Sequence, residues 1–402
     1  MQAGRIVKMM LYVLKGKKGY IISMLLLGIL FFGCARLQEQ EDLSISGFAF
    51  DTTYTITLYE GGSKEILDAC VSKCSEYEKV FSRTQKNSEL YQINEIEELY
   101  GEAVEKKEAY RKKWQQREVH YEDSELSLIK AEIDTEKSKG NTLEYELCGD
   151  GRITFSITEI MEEILQKGLE YSKASEGGFD LTVEPVTSLW NFKAEEPEVP
   201  AGEAIKNALS YIDYQKISLQ EGKLSFLMPG MGIDLGGIAK GFIADQLKQY
   251  LEEQGVKGGI INLGGNVLCI GEKDGGKPFL IGVQQPFAQR NQTVAVVAVK
   301  DISVVSSGIY ERYFETEKGE MYHHIINPET GYSYENDLLG VTILSEKSVD
   351  GDGLSTTCFA LGREKGTEYI NSLDDVYAMF ITKDEKLWYS DGFEDFLETD
   401  RE

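Results

Sequence analysis

The sequence is short of histidine, of cysteine and of positive charge. Among its 402 residues there are three histidines, and the six cysteines lack the regular spacing that marks a zinc site or a disulfide framework. The formal net charge is -26, so the phosphates of nucleic acids and anionic lipid headgroups would be repelled. A nucleic-acid partner is therefore not expected. Globular folding is expected, because 42% of the residues are hydrophobic.

The N-terminus is the exception to this acidity. Five lysine and arginine residues precede an apolar run over residues 20–32, which is followed by Gly33-Cys34. This layout is typical of a secretory signal, and the small residue before the cysteine resembles the lipobox of bacterial lipoproteins, whose cysteine is lipidated after cleavage. We expect a signal peptide over residues 1–33, a lipid on Cys34, a polar tether over residues 34–46 and an extracytoplasmic, membrane-anchored protein. The alternative is an uncleaved membrane anchor, although the run is shorter than the roughly 20 residues of a spanning helix.

Residues 47–402 are expected to form one domain that mixes helices and strands. Helices are predicted over residues 64–81 and 238–254, the second closed by Gly255 in a left-handed cap. The stretch from 95 to about 140 is dense in glutamate and lysine, which indicates a solvated helical insertion. From residue 153 onward, helical segments alternate with short apolar strands and glycine-rich turns, as in a mixed α and β domain.

A glycine-rich segment, GIDLGGIAKG over residues 232–241, carries the densest signal for a binding site. It is predicted to run from the end of a strand into a helix, where glycines let the backbone approach a ligand and free N–H groups favour a phosphate. Its spacing matches neither a Walker loop nor the GxGxxG pattern. The plain alternative is a tight turn with Lys240 in solvent.

The segment DGDGLSTT, residues 350–357, suggests a metal site. If a helix begins near Gly353, Asp352 and Thr356 lie one turn apart and face the same hard cation. Carboxylate and hydroxyl oxygens of this kind suit magnesium, which keeps several waters and shares its shell with substrate phosphates. The alternative is that Asp352 caps the helix and Thr356 bonds back to the chain.

Two further segments hold candidate residues, one for proton transfer and one for contact with a planar ring. The first, YHHIINPETG over residues 322–331, contains His323 and His324, of which one is expected to accept a proton and the other to be structural, since neighbours on a strand face opposite ways. The second, GGFDLTVEP over residues 177–185, is followed by Trp190 and Phe192. Such aromatic residues either sandwich a planar ring or fill a core.

In order and spacing, these segments together resemble the FAD:protein FMN transferases of the ApbE type. The matching segments are FDTTY at 50–54, FSR at 81–83 with Ser88, Glu89 and Asn94, GFDLTV at 178–183, IDLGGIAKG at 233–241, NLGG at 262–265, SGIYER at 307–312, HIINP at 324–328, and Asp352 with Thr356. The stretch from 95 to about 140 falls outside the resemblance. The resemblance implies an α+β fold of two lobes, with that stretch as a charged helical insertion.

The resemblance also implies roles for individual residues. Asp352 and Thr356 match the family's metal-binding side chains, and Gly237 matches the position whose carbonyl completes the protein part of the magnesium site. His324 matches the family's motif histidine and is the expected base. The positions that fall at or near FAD contacts are Phe50, Thr84, Phe179, Asp180, Asp234, Lys240 and Ile326. Two residues depart from the family pattern: Phe50-Asp51-Thr52 replaces the usual Met-Gly-Thr, and Asn327 stands where aspartate is common.

The implied activity is a magnesium-dependent transfer of FMN from FAD to a threonine or serine hydroxyl of an acceptor protein, with release of AMP. A first alternative uses water in place of the hydroxyl, which makes the protein an FAD pyrophosphatase that yields FMN and AMP. A second alternative is a flavin-binding lipoprotein without chemistry. The acceptor protein is not identified by any feature of the sequence.

Overall fold

The computed structural model describes residues 43–107, 121–273, 275–289 and 292–398, and Cys34 lies outside these ranges. The helices in the described residues are α1 (Lys64–Phe81), α2 (Glu89–Glu105), α3 (Asp123–Glu136), α4 (Glu159–Ala174), α5 (Glu184–Thr187), α6 (Gly202–Leu209), α7 (Ala239–Glu253) and α8 (Ser348–Asn371). The strands are β1 (Leu43–Ala49), β2 (Thr52–Glu60), β3 (Tyr145–Leu147), β4 (Ile153–Ser156), β5 (Ile217–Gln220), β6 (Lys223–Phe226), β7 (Gly258–Leu263), β8 (Asn266–Gly271), β9 (Phe279–Gln284), β10 (Thr293–Val299), β11 (Ser303–Gly308), β12 (Tyr313–Glu315), β13 (Met321–His323), β14 (Leu338–Ser345), β15 (Tyr377–Thr382) and β16 (Leu387–Tyr389).

The largest sheet in the described residues has eight antiparallel strands in the order β1-β2-β7-β8-β11-β14-β15-β16. Strand β14 reads LLGVTILS and is buried at every residue, because α8 packs against it. A second antiparallel sheet has the order β3-β4-β6-β5. Apolar side chains of both sheets belong to one hydrophobic core. The predicted α+β class is therefore confirmed, with the two sheets sharing that core.

The predicted tether overlaps the first strand. Strand β1 begins at Leu43, which pairs with Leu58 of β2, so residues 43–46 belong to the large sheet and the predicted tether boundary at residue 46 is wrong. In the part of the chain that the structure describes, no helix has the length and apolar character needed to cross a bilayer.

The described parts of the predicted insertion, residues 95–107 and 121–140, are largely helical, but the first helix is not a solvated excursion. Helix α2 begins at Glu89, ahead of the predicted boundary at residue 95, and Ile96 and Tyr100 are fully buried in the core. Helix α3 likewise buries Ile129 and Ile133. The glutamates and lysines that suggested solvation occupy mainly the outer faces of these helices, while a narrow apolar stripe faces inward.

The sequence predicted the bounds of helix α7 more accurately than the start of helix α8. Helix α7 ends at Glu253 and Gly255 follows with φ 85°, as the predicted left-handed cap requires. Helix α8 begins at Ser348 rather than near Gly353, and it bends at Gly362, whose φ of 76° is not helical. Two glycines let the start of this helix pack closely on its neighbours, because a Cβ on Gly351 would lie 2.5 Å from Val305 and one on Gly353 would lie 2.4 Å from Tyr171.

One of the paired histidines is part of the core. His323 is 3% exposed, its Nε2 lies 3.0 Å from the carbonyl oxygen of Tyr334, and its ring meets Phe359 edge to face. Burial lowers the pKa of His323 to about 4. Between these two pKa values, the imidazole of His323 is neutral in the folded protein, whereas the unfolded chain, with a histidine pKa near 6.5, binds a proton there.

This linkage predicts a pH-dependent contribution to stability. Because the pKa of His323 is lower in the folded state, its contribution is intact above pH 6.5 and is lost as the pH falls toward 4, by at most about 1.4 kcal/mol per pH unit. We expect the urea midpoint of His323→Gln, which can still donate to Tyr334, to fall less steeply over this range than that of the native chain. Urea titrations at several pH values measure both slopes. Parallel slopes would contradict the assignment.

Candidate active site

The glycine-rich segment forms a tight entry into helix α7. Residues 236–238 are a turn and α7 starts at Ala239, so the predicted entry into a helix is confirmed. Residues 231–235 are irregular, so the predicted strand before the turn is wrong. The turn is stabilised by the N–H of Gly236, which donates to Oδ1 of Asp234 at 2.8 Å. The backbone thus reaches the helix start within a few residues, as a phosphate cradle requires.

Helix α2 supports the irregular part of this segment. The amide side chain of Asn94 donates to the carbonyl of Ile233 and accepts from its N–H, both at 2.8 Å. One turn along α2, Glu97 accepts from the N–H of Gly230 at 3.2 Å, and a Cβ on Gly101 would lie 2.7 Å from the Cα of Gly230. The side chains therefore provide the hydrogen bonds that a strand partner would give. Part of the predicted insertion thus positions the site. The charged composition of the insertion gave no indication of this role.

Asp352 lies inside helix α8 and points at the start of α7. It is 3% exposed, its Oδ2 accepts from the N–H of Gly241 at 2.6 Å, and its Oδ1 lies 3.5 Å from Nζ of Lys240. Since α8 begins four residues earlier, Asp352 does not cap this helix and the capping alternative is wrong. Lys240 is partly buried and paired with a carboxylate, so the alternative of a solvent lysine is wrong as well.

Thr356 follows Asp352 by one helical turn and meets the glycine-rich turn. A Cβ on Gly237 would lie 3.6 Å from Oγ1 of Thr356 and 2.8 Å from the ring of Phe179. Within the described residues, Oγ1 of Thr356 makes no side-chain hydrogen bond, so it does not bond back to the helix. The structure therefore brings together the three residues predicted to hold a metal, with the bare backbone of Gly237 beside the hydroxyl.

These residues suit a hard cation by their chemistry. They offer a buried carboxylate, a free hydroxyl and a backbone carbonyl, all oxygen donors of the kind that magnesium prefers, and few enough to leave room for waters and phosphates. No group of three or more His, Cys, Asp or Glu side chains in the described ranges could hold a metal. A zinc-type site is therefore not formed in this part of the chain, and Asp352 is the one charged ligand in the predicted set.

His324 lies in a bend directly after β13, which ends at His323. It is half-buried, and Nδ1 lies 3.3 Å from the carbonyl oxygen of Arg312, whose guanidinium is also close. Burial and the positive charges of Arg312 and Lys240 lower the pKa of His324 to about 3. The imidazole is therefore neutral near pH 7 and can accept a proton. If Nδ1 carries the proton shared with Arg312, Nε2 is the accepting atom.

A polar triad at Asp234 was not predicted as such. Arg83 Nη1 lies 2.5 Å from Asp234 Oδ2 and 2.7 Å from Thr187 Oγ1, and Thr187 donates to the same carboxylate at 2.7 Å. Burial raises the pKa of Asp234, but Arg83 and Thr187 outweigh it and hold this pKa below its usual value. The Arg83 side chain is 38% exposed, and the exposed Thr84 is its neighbour. Asp234 and Thr187 thus hold the cation of Arg83, the residue before the predicted FAD contact Thr84.

The residues that stand in place of Met-Gly-Thr lie at the turn between β1 and β2. Phe50 and Asp51 both have positive φ, 54° and 62°, a conformation that favours glycine. Asp51 forms an ion pair with Lys193, and its Oδ2 lies 3.7 Å from Nη1 of Arg312. The N–H of Phe50 donates to Glu78 at 2.9 Å. These contacts compensate for the unfavourable backbone and keep the half-buried Phe50 at the rim of the site.

Phe179 and Asp180 have different positions relative to the site. Phe179 packs against Gly237 and, edge to face, against Tyr171. Asp180 is buried, with Oδ1 accepting from the N–H and hydroxyl of Thr182 at 2.7 Å each and Oδ2 accepting from the N–H of Tyr214 at 3.1 Å. Its carboxylate is thus committed to the loop that carries Phe179. A direct FAD contact from the Asp180 side chain remains a prediction.

Ile326 belongs to a separate aromatic cluster. It is buried against Trp190, whose ring stacks on Phe192 at 5.5 Å and 5° and lies 5.4 Å from Tyr322. The indole N–H of Trp190 donates to the carbonyl of Gly331 at 3.0 Å. Trp190 and Phe192, the aromatic residues noted after residues 177–185, therefore belong to a small core of their own, and Tyr322, two residues before His324, packs against it.

Comparisons of the sequence with known proteins show its family. The family model described as "ApbE family" matches residues 50–380. An FAD:protein FMN transferase of Klebsiella pneumoniae is 37% identical over 235 residues, which cover 58% of this chain and 72% of the relative. One from Haemophilus influenzae is 30% identical over 338 residues, which cover 82% of this chain and 84% of the relative.

Solved structures share the fold. The flavin transferase ApbE from Vibrio cholerae superposes with a TM-score of 0.67 at 23% identity, over 89% of this chain and 99% of its own. The ApbE protein from Thermotoga maritima gives a TM-score of 0.68 at 23% identity, over 89% of this chain and all of its own. With the family model covering both the glycine-rich turn and the Asp352 helix, this chain belongs to the ApbE family.

Proposed function

We propose that this protein transfers FMN from FAD to a hydroxyl of an acceptor protein, in a magnesium-dependent reaction that releases AMP. The transfer of FMN from FAD to protein is the activity that its relatives' name states. The observation that carries the proposal for this chain is the contact between Asp352 and the N–H of Gly241, which sets a buried carboxylate beside a glycine-lined helix start. The predicted FAD contacts Phe50, Thr84, Phe179, Asp180, Asp234, Lys240 and Ile326 belong to this proposal.

The electrostatics of the reaction explain the choice of residues. A pyrophosphate must lose part of its negative charge before a nucleophile can approach, and the protein as a whole has a net charge of -26. Lys240, Arg83 and the N–H groups at the start of α7 supply positive potential from the chain itself. Asp352, Thr356 and the carbonyl of Gly237 would hold magnesium, which when bound supplies charge neutralisation at the phosphates.

His324 would act as the general base. Its lowered pKa keeps it neutral across the physiological range but makes it a weak base, so the negative charge of a bound pyrophosphate would have to raise this pKa for proton transfer. The Arg312 carbonyl fixes the orientation of the ring. The acceptor hydroxyl gives its proton to His324 and its oxygen attacks the phosphorus on the riboflavin side. The bond from that phosphorus to the bridging oxygen breaks, AMP leaves with the bridging oxygen, and FMN remains as a phosphoester on the acceptor.

The N-terminal segment supports a location for this reaction. We propose that Cys34 is lipidated after removal of residues 1–33 and that the domain lies on the extracytoplasmic face of the membrane. FMN-binding subunits of membrane redox complexes or extracellular reductases are the proposed class of acceptor. Labelling with a palmitate analogue, followed by its loss in Cys34→Ala, tests the anchor independently of the enzymatic activity.

A first prediction separates an enzyme from a flavin-binding protein. We expect His324→Ala to lower the rate of AMP release from FAD by about 10²- to 10⁴-fold, because a positioned base is lost. The affinity for FAD, followed by flavin fluorescence, should stay close to that of the native chain. If the rate stays the same, His324 is not the base, and if the native chain releases no AMP even when an acceptor subunit is present, the protein is a flavin carrier.

A second prediction addresses the metal. Thr356→Val keeps the shape of the side chain and removes the hydroxyl, so we expect the Mg²⁺ concentration for half-maximal AMP release to rise about tenfold or more. Chelation should abolish the activity of the native chain and added Mg²⁺ should restore it. The neighbouring Thr357→Val is the matched control, because Oγ1 of Thr357 is buried without a partner. Equal Mg²⁺ requirements in the two variants would contradict the site.

A third prediction separates transfer from hydrolysis. We expect AMP release from FAD to be slow without an acceptor and to accelerate when a flavin-accepting subunit is added, because a positioned hydroxyl replaces water. Mass spectrometry of that subunit should show one added FMN on a threonine or serine. Fast AMP release without any acceptor, and no added mass, would favour the pyrophosphatase.

A further inference from the structure

The first turn of helix α8 is capped by a side chain from helix α7. Asp245 Oδ1 accepts from the N–H of Ser348 at 2.7 Å, and Oδ2 accepts from the N–H of Val349 at 2.9 Å. The residue before the helix, Lys347, gives no side-chain cap of its own. One carboxylate therefore satisfies two of the free N–H groups at this helix start, and its charge also favours the positive end of the helix dipole.

The same face of α7 contacts Asp352. Gly241 precedes Asp245 by one helical turn, and its N–H donates to Asp352 at 2.6 Å. A Cβ on Gly241 would lie 2.2 Å from the carbonyl oxygen of Ser348 and 2.7 Å from the Cα of Val349, so the two helices touch through bare backbone. Gly241 lets the helices come together and contacts α8 through its backbone. It has no side chain of its own with which to hold the first turn of α8.

The distance between the cap and the proposed metal ligand is short. Asp352 lies one turn after Ser348 in the same helix, so a shift of the first turn carries Asp352 with it. A second anchor acts on the Ser348 side chain, whose Oγ donates to Asn266 at 2.7 Å and accepts from Ser303 at 2.9 Å. That anchor holds the serine on the sheet but leaves the N–H groups of Ser348 and Val349 to Asp245.

We infer that Asp245 is a positioning residue, which fixes the first turn of α8 so that Asp352 meets the start of α7 at the geometry needed for metal binding. The inference rests on the proposed function. Both carboxylate oxygens of Asp245 accept from backbone N–H groups, so Asp245 acts through the backbone of residues 348 and 349. It was not among the predicted site residues, because the sequence gives no sign that a residue in the middle of one helix caps another.

The test compares Asp245→Ala and Asp245→Asn with a cap removed elsewhere. The control is Ser63→Ala, since Ser63 caps α1 by accepting from the N–H of Ile66 at 3.3 Å. All four full-length proteins are studied at pH 8, because burial raises the pKa of Asp245 to about 7. Three quantities are measured: hydrogen exchange of the peptide containing residues 348–352, the dissociation constant of Mn²⁺ by electron paramagnetic resonance, and the Mg²⁺ concentration for half-maximal AMP release.

For Asp245→Ala we expect faster exchange at residues 348 and 349 and a rise of about 10- to 100-fold in both metal constants, as for other residues that orient a metal ligand. Asp245→Asn keeps one accepting oxygen, so its Mn²⁺ constant should rise at least about 3-fold, for the loss of one hydrogen bond. The Ser63→Ala control should leave all three quantities unchanged. The affinity for FAD measured without metal should be equal in all four proteins.

Two results would overturn the inference. One is an alanine variant with normal metal constants in a chain whose native form releases AMP. The other is an asparagine variant with unchanged hydrogen exchange at residues 348–352 and unchanged Mn²⁺ affinity. This second result tests the inference even if the alanine variant does not fold. A native chain that neither binds Mn²⁺ nor releases AMP contradicts the proposed function instead, so the two failures are distinguishable.

Discussion

The site depends on the close approach of helices α7 and α8, where the N–H of Gly241 donates to Asp352 with no side chain between the two backbones. The contact is possible because residue 241 is a glycine. The Cβ of any larger residue would overlap the carbonyl oxygen of Ser348. Glycines 351 and 353 have the same purpose on α8, since they let this helix lie against Val305 and Tyr171. The glycines of both segments are therefore explained largely by packing that brings a carboxylate to a helix start.

The net negative charge of the protein opposes the binding of an anionic substrate at this site. The cations near the site are each paired with a carboxylate: Arg83 with Asp234, Lys240 with Asp352, and Arg312 and Lys193 with Asp51. The phosphates of FAD would have to share these cations with the protein. Burial offers partial relief, since it raises the pKa values of Glu184 and Glu311 to about 7, which lowers the negative charge near neutral pH.

The turn between β1 and β2 holds two residues with positive φ, Phe50 and Asp51. Family members usually carry glycine where Asp51 has a positive φ, and here the ion pair with Lys193 and the nearby Arg312 compensate for the less favourable backbone. The same contacts connect the edge of the large sheet to the segments after α5 and before β12. The turn thus links three parts of the site rim, and a glycine at position 51 would leave Lys193 and Arg312 without this partner.

The sequence by itself determined the elements whose signals are local. Helix α1 was predicted at Lys64–Phe81 and is found there, helix α7 was predicted within a residue at each end, and the spacing of Asp352 and Thr356 put both on one face of a helix. Periodicity, caps and motif order depend on neighbours in the chain, so they can be read without a structure. The family and its fold followed from the same ordered motifs.

Only the tertiary structure decided which side chains meet across the chain. Asp245 on the first turn of α8, Asn94 on Ile233, and Arg83 on Asp234 each join residues more than 100 positions apart. The prediction that α2 is solvated was also wrong. The charged composition reflects the outer face of the helix and not the stripe that is buried. Such contacts depend on how elements pack and not on the order of residues along the chain, and so no local pattern reports them.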